Sequence, residues 1–416
     1  MICNKNALVK LDVKNNTALE SIQCASNQIS FLDVSNNLNL ELLNCTSNPM
    51  RKPDTSMQRK LRDFQYDMTL LSLETLFPDA AFRAYVEQFD TNGDGYLDDD
   101  EIECVKYISV IDMGIESLKG IEQFVYLTEL ICSRNQLTEL DLSCNTLLRV
   151  LDCSHNQLTV LDTSKQRFLW NLNCDDNQLT ELDLSCNPLS ELSCNYNQLT
   201  ELDLSSNPSL QMLSCYNNQL TELEISYAPN LVILDCRENQ LTQLELSKNP
   251  NLVYLYIGWN QLSSLSVTNH PGLLTLDCMR NELTQLTLSG CDVLNLLDCS
   301  QNKLTDLDVA SIASLQELRC NANQFTSLDV SNNTQLSTLD CEWNQLTSLD
   351  VSHNPMLRTL YCRSNTALTE LRLCENTSFI TLDCSHTALT CLDVRNIEFQ
   401  SIYALRYDSD KVTLLQ

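Results

Sequence analysis

Leu148-Arg149-Val150-Leu151-Asp152-Cys153-Ser154-His155-Asn156, followed by Leu158, Leu161 and Asp162, is one period of a pattern that runs along most of this 416-residue chain. Its cysteine recurs at 3, 24 and 45, then at 132, 153, 174, 194, 215, 236, 278, 299, 320, 341, 362 and 384, with Ile257 filling the one vacant step. The step is 21 residues, slipping occasionally to 20 or 22, and each period reads L-x-x-L-x-C-x-x-N-x-L-T-x-L-D-[LV]-S-x-N. Self-similarity at a fixed spacing overrides the expectation of two or three globular domains that length alone would give. In the short segment ending in cysteine, alternation sends Leu and Cys inward and leaves the intervening residues on the opposite face. One period cannot bury its apolar edge, so neighbouring periods must stack and supply each other's core.

The pattern is that of a leucine-rich repeat with cysteine at an inward leucine position. The expected fold is an α/β repeat solenoid, a right-handed superhelix with a parallel, concave β-sheet, plus a small helical insertion. Asn135, Asn156, Asn177, Asn197 and Asn218 fall three residues after the ladder position, where an inward amide can bond the backbone of adjacent coils. The 26 Lys plus Arg against 55 Asp plus Glu give a formal net charge of -29, which opposes phosphate backbones and anionic lipids. Nucleic acid and membrane insertion are therefore not expected. No run approaches the ~20 apolar residues a membrane helix needs. Met1-Ile2-Cys3-Asn4-Lys5-Asn6 is already repeat sequence, so no export signal is expected in the chain as given.

The pattern divides the chain into three coils over 1–50, an insertion over 51–104, the main solenoid over 105–404 and a C-terminal edge cover over 405–416. The break begins at Arg51-Lys52-Pro53-Asp54, and Phe82, Tyr85, Val86 and Phe89 mark one side of a helix. Val105, Ile108, Val110, Ile115, Leu118 and Ile121 fit the inward places of a degenerate first coil, and Phe399, Ile402 and Ala404 those of a last strand. Within the insertion, Asp90-Thr91-Asn92-Gly93-Asp94-Gly95-Tyr96-Leu97-Asp98-Asp99-Asp100-Glu101 fills every required position of an EF-hand calcium loop. Calcium takes six to eight oxygens, here expected from Asp90, Asn92, Asp94, the Tyr96 carbonyl, Asp98 through water and bidentate Glu101, with Gly95 at the sharp turn. A solitary loop of this kind suits a structural Ca2+ that braces the start of the solenoid.

Cysteine inside 21-residue coils ending T-x-L-D-V-S-x-N resembles the cysteine-ladder internalin-like proteins of bacterial surfaces, over about three-quarters of the chain. Phe77-Pro78-Asp79-Ala80-Ala81-Phe82, the calcium loop and Gly114-Ile115-Glu116-Ser117-Leu118-Lys119-Gly120-Ile121 together look like the module that opens many bacterial repeat arrays. Three coils precede that module here. The resemblance implies adhesion or recognition outside the cell, extracellular or on a bacterial surface. The alternatives are the recognition region of an intracellular or secreted effector, and a passive stalk or matrix element.

Catalysis is not expected. His155, His270, His353 and His386 lie in widely separated coils and offer no nucleophile–base pair. The ladder cysteines point side by side, which suits small buried hydrophobes better than disulfides or tetrahedral metal sites, and Cys104, Cys144, Cys186, Cys291, Cys374 and Cys391 share no regular pairing. Asp152, Asp235, Asp277, Asp298, Asp340 and Asp383 recur at one concave position and could recruit cations or sugar hydroxyls, although a solvated acidic face is the simpler account. Tyr196, Tyr216, Tyr254, Tyr256 and Trp259 occupy outward concave positions, joined farther on by Trp343 and Tyr361. Clustered exposed aromatics point to a contact patch for a protein or glycan, with Arg237 and Glu238 between the aromatic coils and the convex Asp183 and Asp203 as the competing face.

Overall fold

A computed structural model describes residues 1–50, 53–66, 72–373, 380–395 and 403–415. The chain divides into two compact units, Met1–Leu148 and Arg149–Gln416.

In the first unit, strands Ser21–Gln23, Leu42–Asn44 and Asp63–Gln65 pair in parallel, and Ile2 bridges to Gln23 ahead of them. Their core holds Val13, Ile22, Cys24, Ile29, Leu40, Leu43 and Cys45. The third strand lies inside the stretch that the sequence pattern assigns to the insertion. Phe64 stands opposite Leu43, so an aromatic residue fills a leucine place and the coil extends past residue 50. The helical part follows as α1 (Leu73–Leu76), α2 (Ala80–Val86) and α3 (Asp99–Cys104), with a 3-10 turn at Glu87–Phe89.

One carboxylate fastens this helical part to the first coil after it. Asp79 Oδ1 caps α2 by accepting from the backbone N–H of Ala81 and Phe82, each at 2.9 Å, while its Oδ2 accepts from Glu116 at 2.9 Å and Ser117 at 3.2 Å. Burial alone would raise the Asp79 pKa, but these four donors outweigh it and hold the carboxyl below the usual range. Phe77 packs edge-on to Phe82 at 5.5 Å and stacks on Phe124 at 5.8 Å. Tyr85 Oη accepts the Ser109 N–H at 3.0 Å on the strand Tyr107–Ser109, which pairs with Glu129–Ile131. Val105, Ile108, Val110, Ile115, Leu118 and Ile121 are all buried, as their inward assignment requires.

In the second unit each coil contributes a three-residue strand, from Val150–Asp152 through Tyr254–Tyr256 to Ala404–Arg406, and successive strands are parallel and in register. The other side of the coils pairs more sparsely, as in Ser264–Thr268 with Gln285–Ser289. At the C-terminal end the inward assignment needs correction. Ala404 stands opposite the outward Thr381, and Leu405 is the partner of buried Leu382; Phe399 and Ile402 lie outside the described residues. The register slips by one because residues 384 to 404 do not keep the 21-residue step. The stretch 405–416 carries a further strand, Thr413–Leu415, paired with Cys391–Asp393.

Three longitudinal ladders hold each array. All ladder cysteines are buried except the half-buried Cys3, and none of the described cysteines is in a disulfide. Burial pushes their thiols up, to about 11 at Cys24 and about 12 at Cys384. Several donate weakly to the next coil, such as Cys194 Sγ to the Ser214 carbonyl at 3.6 Å. The first asparagine ladder behaves as its position suggests: Asn239 Nδ2 donates to the Cys215 carbonyl at 2.9 Å, and its Oδ1 accepts the Leu220 N–H at 3.0 Å. A second, interrupted asparagine ladder, from the final S-x-N of many periods, sits at another corner. There Asn249 Nδ2 donates to the carbonyls of Ile225 at 2.9 Å and Ala228 at 2.8 Å.

Two places after every ladder cysteine, and after Ile257, the chain turns through a left-handed residue, and none of these is glycine: Asp176 has φ 51°, Tyr196 51°, Glu238 50°, Trp259 57°, Arg280 51° and Trp343 53°. Left-handed backbone costs an ordinary residue about 1–2 kcal/mol, so the following ladder asparagine must over-determine the turn.

Candidate functional site

Strand Tyr254–Tyr256 buries Leu255 and sends both tyrosines, half-buried, out of the same face. Tyr216 and Tyr196 do not lie within strands. Tyr216 directly follows Cys215, and Tyr196 occupies a left-handed turn. Their rings meet edge-on at 4.8 Å, Tyr196 Oη donates to Tyr216 Oη at 2.8 Å, and Tyr216 Oη donates to Glu238 Oε1 at 3.3 Å. The bond from Tyr196, then burial and the Glu238 charge, push the Tyr216 phenol above its ordinary range.

Arg237 joins the tyrosines of separate coils. Its guanidinium lies 5.4 Å from the Tyr216 ring and 5.0 Å from the Tyr256 ring. It is held by Asp235 through Nε at 2.9 Å and Nη2 at 2.6 Å, and Nη1 lies 4.0 Å from Asp277 Oδ2. Burial raises the Asp277 carboxyl, with the neighbouring Asp298 adding to the rise and the Met279 N–H and Arg237 opposing it. Beyond them Trp259 stands 43% exposed with the Arg280 guanidinium 3.7 Å over its ring. Among the described residues no carboxylate lies within ion-pair distance of Arg280.

Tyr196, Tyr216 and Tyr256 are thus brought into one cluster around Arg237, with Tyr254 and the Trp259–Arg280 pair beside it. Trp343, 58% exposed, and half-buried Tyr361 stand several coils away, outside this cluster. Arg280 carries no periodic signal that marks it in the sequence. Its contact becomes visible only once the left-handed turn aims it at the preceding coil.

The recurrent aspartates have a structural task. Asp152, Asp235, Asp277, Asp298, Asp340 and Asp383 each accept the backbone N–H two residues on, at 3.0–3.2 Å, where the strand exits toward the left-handed residue. On the other side of the coils, Asp162, Glu181, Asp183, Glu201, Asp203 and Glu224 line a cleft of about 1330 Å³.

The loop from Asp90 to Glu101 closes on its own backbone. Asp90 Oδ1 accepts Gly93 N–H at 2.8 Å, Oδ2 accepts Gly95 N–H at 2.8 Å, and Asn92 Oδ1 accepts Asp94 N–H at 2.8 Å. Gly93 and Gly95 have φ of 72° and 83°, the left-handed conformations such a loop needs. Glu101 Oε1 accepts from Thr91 N–H at 2.7 Å and Oε2 from Asp98 N–H at 3.0 Å, the latter completing a capping box on α3. Burial by itself would raise Glu101, and its donors from Asp98, Thr91 and Asn92 together bring it below the ordinary value. The oxygen donors match calcium in kind and order. In this arrangement, however, no three His, Cys, Asp or Glu side chains among the described residues are gathered closely enough to hold a metal ion.

The cysteine ladder has a solved counterpart. The functional domain of InlJ from Listeria monocytogenes, which includes a cysteine ladder, is 33% identical, with a TM-score of 0.68 and 84% of this chain and 72% of that one covered. The chain belongs to the internalin-like leucine-rich-repeat family. The fold of this internalin-like chain is also that of an internalin, inlF, from Listeria monocytogenes, at 21% identity and a TM-score of 0.64 over 82% of this chain and 99% of that one. YopM, a leucine-rich effector protein from Yersinia pestis, is 25% identical with a TM-score of 0.59, covering 79% and 92%. No protein-family model matches the internalin-like chain. No curated protein matches it. Among the described residues no helix is long and apolar enough to cross a membrane.

Proposed function

We propose that this internalin-like chain is a non-enzymatic recognition protein of a bacterial surface. It binds a protein or glycan through the sheet face bearing Tyr196, Tyr216, Tyr254, Tyr256 and Trp259. The observation that carries this reading is the Tyr216–Arg237–Tyr256 stack, with guanidinium-to-ring distances of 5.4 and 5.0 Å. Tyr, Trp and Arg are the residues on which binding energy concentrates, and side chains already interlocked lose little entropy when a partner docks. Trp343 and Tyr361 belong to a second, more distant part of the same face. The likeness to the YopM effector supports one other reading, recognition inside a host cell.

An affinity screen against host proteins and glycans tests the reading. Once a partner is found, Trp259→Ala and Tyr256→Ala are each expected to weaken binding by about 2 kcal/mol, roughly thirtyfold, with the melting temperature unchanged. Unchanged affinity in both, with loss on mutating Asp183 and Asp203, moves the site to the acidic cleft.

The same proposal assigns one structural calcium to Asp90, Asn92, Asp94, the Tyr96 carbonyl, Asp98 and Glu101. Binding there would redirect oxygens now turned to backbone N–H groups, and would brace the segment between α2 and α3. An isolated site of this type suggests a dissociation constant on the order of 10 μM to 1 mM. Calorimetry after chelation is expected to give heat and a rise in melting temperature that Asp90→Ala abolishes. Absence of both in the wild type would discard the site.

A further inference from the structure

Arg237 belongs to the coil of Cys236 and Asp277 to the coil of Cys278, so the pair at 4.0 Å spans the coil of Ile257 between them. The position equivalent to Arg237 on that intervening coil, one after the ladder residue, is Gly258. Its neighbours in the row are Arg237 and Met279, both long side chains. The backbone does not require glycine here, since Gly258 is absent from the positive-φ residues. What the glycine allows is a close approach: a Cβ on it would lie 3.1 Å from Asp277 Oδ1, 3.1 Å from Met279 Cγ and 3.1 Å from the Met279 carbonyl, so any side chain here would crowd Asp277 and Met279.

We infer that Gly258 is a positioning residue for the recognition patch: the missing side chain opens the path across which Arg237 reaches Asp277 and so settles over Tyr256. The inference rests on reading this face as the recognition surface. A side chain at 258 would rise from the same face between the guanidinium and Asp277. Arg237 would keep its bonds to Asp235 within its own coil but would be pushed off the Tyr256 ring, and the platform shared by two tyrosines would split. With Gly258 in place, the guanidinium is flanked by carboxylates on both sides and stacked on both tyrosines, while Arg280 over Trp259 keeps its charge free for a partner.

The test uses the full chain with no ligand. In protein labelled with 15N-arginine, the Arg237 Nε–H signal is assigned by its loss in Arg237→Lys. It is expected to be ring-shifted and slow to exchange in the wild type. Gly258→Met, which copies Met279, and the milder Gly258→Ser, which copies Ser300, are both expected to reduce the ring shift, while the Nε–H, still bonded to Asp235, stays slow to exchange. The melting curve of each variant reports whether it folds. An Arg237 signal that keeps its wild-type shift in a folded variant overturns the inference, as does a wild-type signal with no ring shift. Failure to find any partner for the face would leave this result unchanged, so the two readings fail separately.

Discussion

At the scale of single residues, the cysteine ladder shows how little polarity the core tolerates. Cys194 Sγ is buried and reaches the Ser214 carbonyl only at the long distance a thiol allows, 3.6 Å. A serine hydroxyl on its shorter bond would fall short of that carbonyl, so Cys194→Ser is expected to cost about 1–3 kcal/mol in denaturant melts. Cys194→Val should cost less, because Ile257 already occupies the equivalent place in another coil. Equal losses in the two variants would mean that volume, not polarity, governs the site. His270 departs from its own ladder in a different way. It sits where other coils carry the second asparagine, is 1% exposed, and neither ring nitrogen makes a well-formed hydrogen bond, although the backbone of Leu246 and Thr268 lies alongside. Burial holds its pKa below the ordinary value against those two contacts. The unfolded chain therefore takes up a proton that the folded one resists. This stability is full above the ordinary histidine pKa of about 6.5 and is lost as pH falls from there to the lowered folded value. His270→Asn should lose less stability than the wild type over that interval, and parallel pH profiles would contradict the argument. The cysteine spacing and the first asparagine ladder were legible because they recur at a fixed step. The left-handed row was not, since its residues are chemically unrelated and lack the glycine that usually signals such a turn.

At the scale of elements, the helical part of the first unit depends on one close approach. Gly120 has φ 104°, and a Cβ there would lie 2.3 Å from Phe77 Cδ1 and 2.7 Å from the Leu76 carbonyl. Gly120→Ala must therefore displace Phe77 from its stack on Phe124, at an expected cost of 3 kcal/mol or more on the order of other buried overpacking and backbone-strain effects combined. Hydrogen exchange should show loss of protection in α2 first; unchanged protection there would place the anchor elsewhere, with the Asp79 bonds the next candidate. The Gly114 to Ile121 segment was recognisable from its resemblance. The reason for it, a ring packed against a glycine, depends on a contact 43 residues apart in sequence that no local pattern encodes. The strand Asp63–Gln65 was hidden for the opposite reason. Its coil keeps the geometry while Phe64 replaces the leucine that would have announced it. The aromatic patch was legible as outward positions, but the Arg237 bridge required the register of three coils at once.

At the scale of the whole molecule, 55 acidic against 26 basic side chains leave a formal net charge of -29. Parallel in-register stacking turns any acidic position that recurs into a row of like charges, as with Glu181, Glu201 and Glu222 along the acidic cleft. Screening should relieve this, so raising salt from about 10 mM, where the Debye length is roughly 30 Å, to about 150 mM, where it is roughly 8 Å, is expected to raise the melting temperature. Glu201→Lys should raise it at low salt and lessen the salt response. A melting temperature that falls with salt would show that ion pairs such as Arg237 with Asp235 outweigh the repulsion. The sequence announces both the charge and, through the fixed step, its alignment in rows; the cleft those rows line becomes visible only in the stacked coils.

The left-handed turn two residues after each ladder cysteine has an evolutionary reading. Its backbone is fixed by the asparagine behind it, so the residue it carries can change from Asp176 to Tyr196, Glu238, Trp259 or Arg280 without redirecting the chain. Each coil then holds one independently replaceable letter at the same bearing. A lineage can rewrite such a string one letter at a time and acquire a new partner while the coils beneath stay as they were.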